Sequence, residues 1–459
     1  MKNELFPISV ALYRLLTLKH FPYQGVFGQE VAFFATKDNR ILVSIIFDYS
    51  DKDYNAVISG RDEAKQYRCF DVKISLKTIE EAIDAAQKAI LNIPENQFCF
   101  PQKESNKVFD IYKQVVPSEK TNDYFKSLNL PQHSPAKEVI REIAFMFKDK
   151  DGNFIQQFQS TGFNARLFEL YMFAFLNEEQ FIIDEDCSSY PDFTFSKGKA
   201  FYALECTTVN PGENDIDELP NNPIDIFNLN MDYFPIKFGS TLFSKLKHKT
   251  KDKHYWELQN VIGKALIIAI EDFHINGSMC FSSKGLERYL YGYDYSISYD
   301  EKGNVIPIPH KITSFNWKGK HIDTAFFDIE DSDNISAVLF FNAATIAKFN
   351  RMGRIAGLGD SETRIIRQVL YYNPDPNSIQ HISSCFEVSE NTVETWSEGA
   401  RMYHNPYAKI PVNPNDFEGI AHFFLKEDKT LSGVIPNNFP LTSITHSFSP
   451  TGEKAHESI

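Results

Sequence analysis

Two hydrophobic rhythms alternate along the chain, a period of two in short segments and a period near 3.6 in longer ones, with polar punctuation between them. Residues 30–34 and 41–47 read as strands joined through Asp38-Asn39, and residues 56–59 and 67–74 continue a sheet. Thr78 and Glu81 form a capping box ahead of a helix with the apolar stripe Ile79, Ile83, Ala86, Ile90, and Pro94 stops it. Residues 116–135 are polar, rich in Ser, Asn and Pro, and lack periodicity, which predicts a linker. Residues 164–176 predict a helix apolar on nearly every face, and therefore buried. A short strand at 181–183 and a hairpin over 192–205, closed around Lys197-Gly198, follow. A polar acidic loop, 211–232, leads to a helix near 240–249. The unbroken aliphatic run 265–270, ending in Glu271-Asp272, predicts a central buried strand. Residues 336–341 read as a buried strand and 361–372 as a helix.

The pattern predicts the α/β class and a division into an N-terminal α/β module (1–115), a linker (116–138), an α/β core (139–275), a C-terminal α+β region (276–450) and a flexible tail (451–459). A chain of 459 residues, 42% apolar and 14% aromatic, has ample material for such cores, so extensive disorder is excluded. With 47 basic against 61 acidic residues the net charge is −14, which argues against an all-over basic coat but leaves room for a local basic groove. Six scattered cysteines (Cys69, Cys99, Cys187, Cys206, Cys280, Cys385) show no zinc spacing and predict a reduced, cytoplasmic protein without a structural metal. No stretch approaches about 18 apolar residues, so no membrane span is expected. Phosphate-loop, zinc-protease and nucleophile-elbow motifs are missing. Gly353, Gly357 and Gly359 do not match a dinucleotide fingerprint and read as a surface loop; Tyr403-His404-Asn405-Pro406 reads as an Asn-Pro turn with a solvated histidine, and Met402 as core.

Chemistry concentrates in Tyr190-Pro191-Asp192-Phe193-Thr194-Phe195 and Phe201-Tyr202-Ala203-Leu204-Glu205-Cys206-Thr207-Thr208. With a Lys197-Gly198 turn, Asp192 stands opposite Ala203 and diagonal to Glu205; Glu205 and Thr207 share a face, while Leu204 and Cys206 point into packing. Two carboxylates converging on an otherwise apolar sheet need a cation, and a hard divalent ion such as Mg²⁺ suits an oxygen donor set. Glu169, inside the buried helix, either pairs with Arg166 or reaches the same site. The run 245–254 carries five lysines in an acidic chain. Phe238, Leu242, Phe243 and Leu246 define the buried face of its helix, with Lys245 at the edge; the other lysines fit either a solvated helix end or a nucleic-acid contact.

In the order of these pieces, and in Pro191-Asp192, the hairpin and Glu205-Cys206-Thr207, the chain resembles the PD-(D/E)XK nuclease superfamily over roughly 110–130 residues. The resemblance implies a restriction-endonuclease-like core, a mixed sheet flanked by helices, in which Asp192, Glu205 and the Cys206 carbonyl hold Mg²⁺ (or Mn²⁺), with Glu169 assisting. The family lysine is replaced by Thr207, which can hydrogen-bond a metal-bound water, so Lys245, with Lys249 behind it, is the candidate for the missing positive charge. The implied activity is DNA phosphodiester hydrolysis of the restriction or anti-phage defence type, with Lys245, Lys247, Lys249 and Lys251 against the nucleic acid and a homodimer or partner protein possible. The competing readings are a catalytically inactive nuclease-fold subunit for nucleic-acid binding or assembly, and an unrelated α/β protein whose acids and lysines are merely solvated.

Overall fold

The computed structural model describes residues 3–20, 27–94, 96–100, 108–185, 190–212, 216, 218, 220–275, 277, 280–375, 378 and 380–449. Cys187 and the tail 451–459 lie outside the described residues. The N-terminal elements are β1 (Phe6–Pro7), α1 (Val10–Leu16), β2 (Gly28–Ala35), β3 (Ile41–Asp48), β4 (Asp53–Arg61), β5 (Tyr67–Leu76) and α2 (Ile79–Leu91). The five strands pair antiparallel in chain order. Thr78 caps α2 by accepting from the Glu81 N–H, while the Glu81 carboxylate reaches back to the Lys77 N–H, one residue further than the capping-box pattern places it. Ala82, Ala86 and Ile90 of α2 join Ile41, Val43, Ile45 and Ile58 in one apolar cluster.

Residues 116–138 are not a linker. They contain α3 (Asp123–Ser127) and the first turn of α4 (Ser134–Met146), and Val116 and Leu128 are buried. Polar side chains that mimic a linker in the sequence instead satisfy backbone groups: the Asn122 carboxamide oxygen accepts from the Tyr124 N–H at 2.8 Å, and the Ser127 hydroxyl donates to the Tyr124 carbonyl at 2.7 Å. Two further helices, α5 (Phe154–Phe158) and α6 (Phe163–Glu178), complete this layer, and α6 is buried on nearly every face as its sequence predicts.

The principal sheet begins with β6 (Ile182–Ile183), β7 (Phe193–Lys197) and β8 (Ala200–Val209). The loop that follows contains a short helix, α7 (Pro223–Leu229), and leads into α8 (Tyr233–Lys247) and β9 (Ala265–Asp272). Next come α9 (Ser283–Tyr291) and two hairpins, β10 (Tyr293–Tyr299) with β11 (Val305–Lys311) and β12 (Ser314–Trp317) with β13 (Lys320–Asp323). The C-terminal third supplies β14 (Ala337–Phe341), α10 (Ile346–Ile355), β15 (Arg364–Tyr371), β16 (Ile382–Glu387), β17 (Arg401–His404), β18 (Ala421–Leu425), β19 (Leu431–Val434) and β20 (Pro440–Phe448).

Eight strands form one mixed sheet in the order β19-β18-β17-β14-β9-β8-β7-β6, with β6, β7 and β8 an antiparallel meander and β8, β9 and β14 parallel. Apolar layers cover both faces: α4, α5, α6 and α10 on one, α8 and α9 on the other. The aliphatic strand β9 is buried along its whole length between β8 and β14, as its composition demands. Residue 275 is therefore not a structural boundary, because the strands after it complete the sheet begun before it.

Three other expectations are corrected. Residues 361–372 hold a strand, not a helix: in β15, Ile365, Arg367 and Val369 turn inward at a period of two, and the strand pairs with β16 and β20. Gly353 lies within α10 and Gly359 beside it, both against Pro135 of α4 rather than on a surface loop. His404 is no solvated turn residue: it ends β17 only 7% exposed, its Nε2 is 2.9 Å from His422 Nδ1, and the Asn405 amide bonds the Ser332 and Ile335 carbonyls. Met402 is core.

Candidate acidic site

The β7–β8 hairpin pairs Lys197 with Ala200 and Phe193 with Leu204, so its loop is Gly198-Lys199, one residue later than the sequence suggests. Gly198 takes φ +60°, which the first central position of a primed two-residue turn requires. The shift brings Asp192, one residue before β7, level with Glu205 rather than with Ala203. Leu204 and Cys206 belong to the apolar layer under α6, and Ala203 to the layer under α8. Glu205 shares the Ala203 face by alternation and is 4% exposed.

Helix α8 lies over that face through Phe234, Phe238, Leu242 and Leu246; Phe243, expected there too, is 47% exposed. Lys245, at the edge of the buried stripe, reaches Glu205, with Nζ 2.6 Å from Oε1. The Tyr255 hydroxyl donates to the same oxygen at 2.8 Å. Glu205 Oε2 is buried and receives no hydrogen bond among the described residues. Asp192 is held by the chain itself: its Oδ2 accepts from the Cys206 N–H at 2.7 Å, and its carbonyl accepts from Lys150 Nζ at 3.0 Å. The Glu169 carboxylate sits on α6 in a bidentate pair with Arg166, whose Nη1 is 2.9 and 2.8 Å from its two oxygens.

These acids feel one another. Burial pushes the Asp192 carboxyl well above the usual carboxylate range, and the charges of Glu205 and Glu169 push it further. Glu169 is pushed up to about 7 by burial, against the pull of Arg166 and with help from Glu205. Burial lowers the Lys245 ammonium, but the Glu205 and Asp192 charges outweigh it and raise the group above its ordinary value. Burial also raises the Tyr255 phenol and the Cys206 thiol, so both stay protonated at neutral pH.

The structure thus brings together Asp192, Glu205, Glu169, Lys245 and the backbone of Cys206, and leaves out other candidates. Thr207 is half-buried on β8 and its side chain makes no hydrogen bond among the described residues. Lys247 is paired with Asp331 at 3.1 Å. Lys249 and Lys251 follow the end of α8 and are exposed. Among the described residues no group of three or more His, Cys, Asp or Glu side chains is set to hold a metal ion. Sequence reasoning missed Tyr255, hidden behind the polar run 249–254, and Lys150, which lies in a charged loop with no periodic signal.

On the Asp192–Glu169 side the site opens into a narrow cleft. Phe147, Phe154, Phe173, Ile183 and Phe193 form its apolar walls, and Lys148, Lys150 and Arg166 are its cations. The cysteines form no disulfide among the described residues, and no described helix is long and apolar enough to cross a membrane. No family model, curated protein or solved structure matches this chain.

Proposed function

We propose that the chain is a metal-dependent endonuclease that hydrolyses DNA phosphodiester bonds on a restriction-endonuclease-like core, in keeping with a restriction or defence role. The observation that carries the reading is the electrostatic coupling of Asp192 to Glu205 and Glu169, with Lys245 2.6 Å from Glu205. The order of elements supports it: helix α6, the meander β6-β7-β8, helix α8, then β9 parallel to β8, the sequence of pieces the family resemblance implies.

The donor set suits a hard divalent cation such as Mg²⁺ or Mn²⁺. Glu205 keeps one buried oxygen without a hydrogen bond among the described residues, and Asp192 carries a carboxyl whose ionisation its neighbours oppose, so a positive ion would relieve both. Asp192, Glu205 and the Cys206 carbonyl would hold it, with Glu169 behind them. The chemistry such an ion would supply there is a bound water of lowered pKa and charge neutralisation at the phosphate. The chain's own residues supply the rest. The Cys206 N–H fixes the rotation of Asp192, and Lys245 with Tyr255 fixes Glu205, whose Oε2 receives no hydrogen bond among the described residues. Lys245 also takes over, from α8, the cationic role that Thr207 cannot fill, and stabilises negative charge developing at the attacked phosphate.

A second reading, an inactive nuclease-fold subunit for nucleic-acid binding or assembly, is favoured by one observation: Lys245 already neutralises Glu205. Cleavage of supercoiled plasmid and linear DNA with Mg²⁺ or Mn²⁺ separates the two. The active reading expects metal-stimulated cleavage that drops at least about 100-fold in Asp192→Asn, Glu205→Gln and Lys245→Met, each folded by circular dichroism. No cleavage, with DNA binding that weakens as salt rises, would establish the inactive subunit.

A further inference from the structure

The hairpin β10–β11 is a two-stranded sheet of its own, joined to no other strand among the described residues. Its root is anchored: Arg288 pairs with Asp294, and the Tyr295 hydroxyl donates to the Lys429 carbonyl at 3.1 Å. Its tip is a closed turn, in which Asp300 Oδ1 accepts from the Lys302 and Asn304 N–H groups at 2.8 and 2.7 Å. Between root and tip Ile297, Tyr299, Val305, Ile306 and Ile308 are exposed, Ile297 by 65% and Tyr299 by 67%. A lone two-stranded ribbon is marginal in water, and added strands are what stabilise it.

The two edges of this ribbon are not equivalent. The Ile312 N–H donates to the Gly292 carbonyl and the Asp300 N–H to the Asn304 carbonyl, which makes 292–312 and 300–304 hydrogen-bonded pairs. By alternation along the register, residues 294, 296 and 298 bond across the hairpin, and residues 293, 295, 297 and 299 turn their backbone groups outward. On β11 the outward positions are 305, 307, 309 and 311, and Pro307 and Pro309 have no N–H to offer, so that edge is blocked. β10 contains no proline. The Tyr295 N–H is taken by Asp294 Oδ1 at 3.0 Å, whereas the N–H groups of Ile297 and Tyr299 have no partner among the described residues.

We propose that the free edge of β10 is a dimerisation edge: two copies of this chain pair antiparallel through residues 297–299 into a four-stranded sheet ordered β11-β10-β10-β11, closed on both outer sides by Pro307 and Pro309. The free donors set the register. Ile297 of each copy stands opposite Tyr299 of the other, a β-branched–aromatic pair on either side of a two-fold axis at Ser298. Charge fits the same register. Glu301 of the second copy comes level with Tyr295, over whose ring Lys284 Nζ lies at 5.5 Å, and its Lys302 comes level with Asp294. The exposed apolar side chains of one arm present on the order of 500 Å², so two copies offer at most about 1,000 Å², the lower end for a specific interface. The dimer is therefore a reversible, micromolar one. Nothing in this proposal depends on the nuclease reading.

Sedimentation velocity of the full chain from about 1 to 200 μM tests it, with a concentration-dependent shift from monomer to dimer expected. Ile297→Pro removes an N–H that the hairpin ladder does not use, at the kind of outward position where Pro307 and Pro309 already sit. It is expected to weaken association at least about 10-fold while circular dichroism stays that of the wild type. Ile297→Lys keeps the N–H but puts a charge on the edge, and should do the same; it decides the matter if the proline variant does not fold. Ile308→Ser alters an exposed apolar side chain on the blocked strand and should leave association within about twofold of wild type. A wild-type chain that stays monomeric throughout would overturn the proposal, as would folded edge variants that dimerise normally. Loss of the dimer in Ile308→Ser to the same extent as in Ile297→Pro would place the contact on the ribbon's face and overturn the edge pairing.

Discussion

At the scale of single residues, burial decides which charged groups can act and which merely cost stability. The same desolvation that raises Asp192 and Glu169 acts on Glu178, near the end of α6, whose carboxyl is pushed up to about 8 by burial despite the Lys348 charge and the Ser397 N–H that it accepts. No part in the acidic site is assigned to Glu178, so its titration reads out in stability alone. Its folded pKa exceeds the ordinary value of 4.5, so the folded state holds the proton more tightly than the unfolded one. Stability is therefore undiminished by this group below about 4.5 and falls as pH rises from there towards 8. Glu178→Gln keeps an acceptor for Ser397 and removes the titration. Thermal unfolding from pH 5 to 9 should show the variant close to wild type at the acid end and several degrees more stable at pH 8. Parallel curves across that range would refute the argument.

At the scale of elements, contacts between helices follow backbone approach more than side-chain pattern. Helix α10 lies against the start of α4 at Gly353, where an added Cβ would stand 2.5 Å from the Pro135 carbonyl oxygen. The Asn350 side chain fixes the same crossing by accepting from the Ala136 N–H at 3.1 Å. Gly353→Ala removes a poor helix former, a change that by propensity alone favours the helix by about 1 kcal/mol. The clash is with backbone and cannot rotate away, so the variant is expected to lose about 1–3 kcal/mol in urea unfolding; a gain would show that α4 moves freely over α10. This contact also shows what the sequence leaves hidden. Strands β3, β5 and β9, helix α2 and helix α6 follow from local periodicity and were legible, as were Asp192, Glu205 and Lys245, because a strand's alternation and a helix's stripe fix side-chain direction. Gly353 looked like a loop because a glycine needed for close approach and one needed for a turn are the same letter. The hairpin turns one residue later than a Lys197-Gly198 loop would place it, because the glycine takes the first loop position. In residues 361–372 the charged positions Arg364 and Arg367 fit a helix face as well as a strand, so the pattern does not discriminate; Arg367 points inward to Glu394 and Glu398.

At the scale of the whole molecule, the acidic site depends on strands contributed from far along the chain. The sequence divides at 275, after the last piece of the nuclease-like pattern, but β9 is flanked by β8 on one side and β14 on the other, with Ala337 paired to Ile267 and Phe341 to Glu271. Cutting at 275 would expose the free edge of a strand buried along its whole length and strip both apolar layers of residues that lie beyond the cut. Leu339, Phe341, Phe349 and Met402 would be lost from the α6 side, and Leu286, Tyr289, Phe326, Val338 and Phe340 from the α8 side. An exposed, flat, aliphatic edge of this kind is a template for association. The fragment 139–275 is therefore expected to aggregate or to populate an expanded state without fixed tertiary packing, although it holds Asp192, Glu205, Glu169 and Lys245. Size-exclusion chromatography and near-ultraviolet circular dichroism of the fragment beside the full chain would show this. A monodisperse fragment with a cooperative unfolding transition and retained metal-stimulated cleavage would instead mean that α6 to β9 is an autonomous core and that β14 and β17 were added around it. The aggregated outcome means that the C-terminal third belongs to the same folding unit as the acids, so on the proposed nuclease reading variants at β14 or α10, distant in sequence from the acids, should abolish cleavage by unfolding the sheet that aligns them.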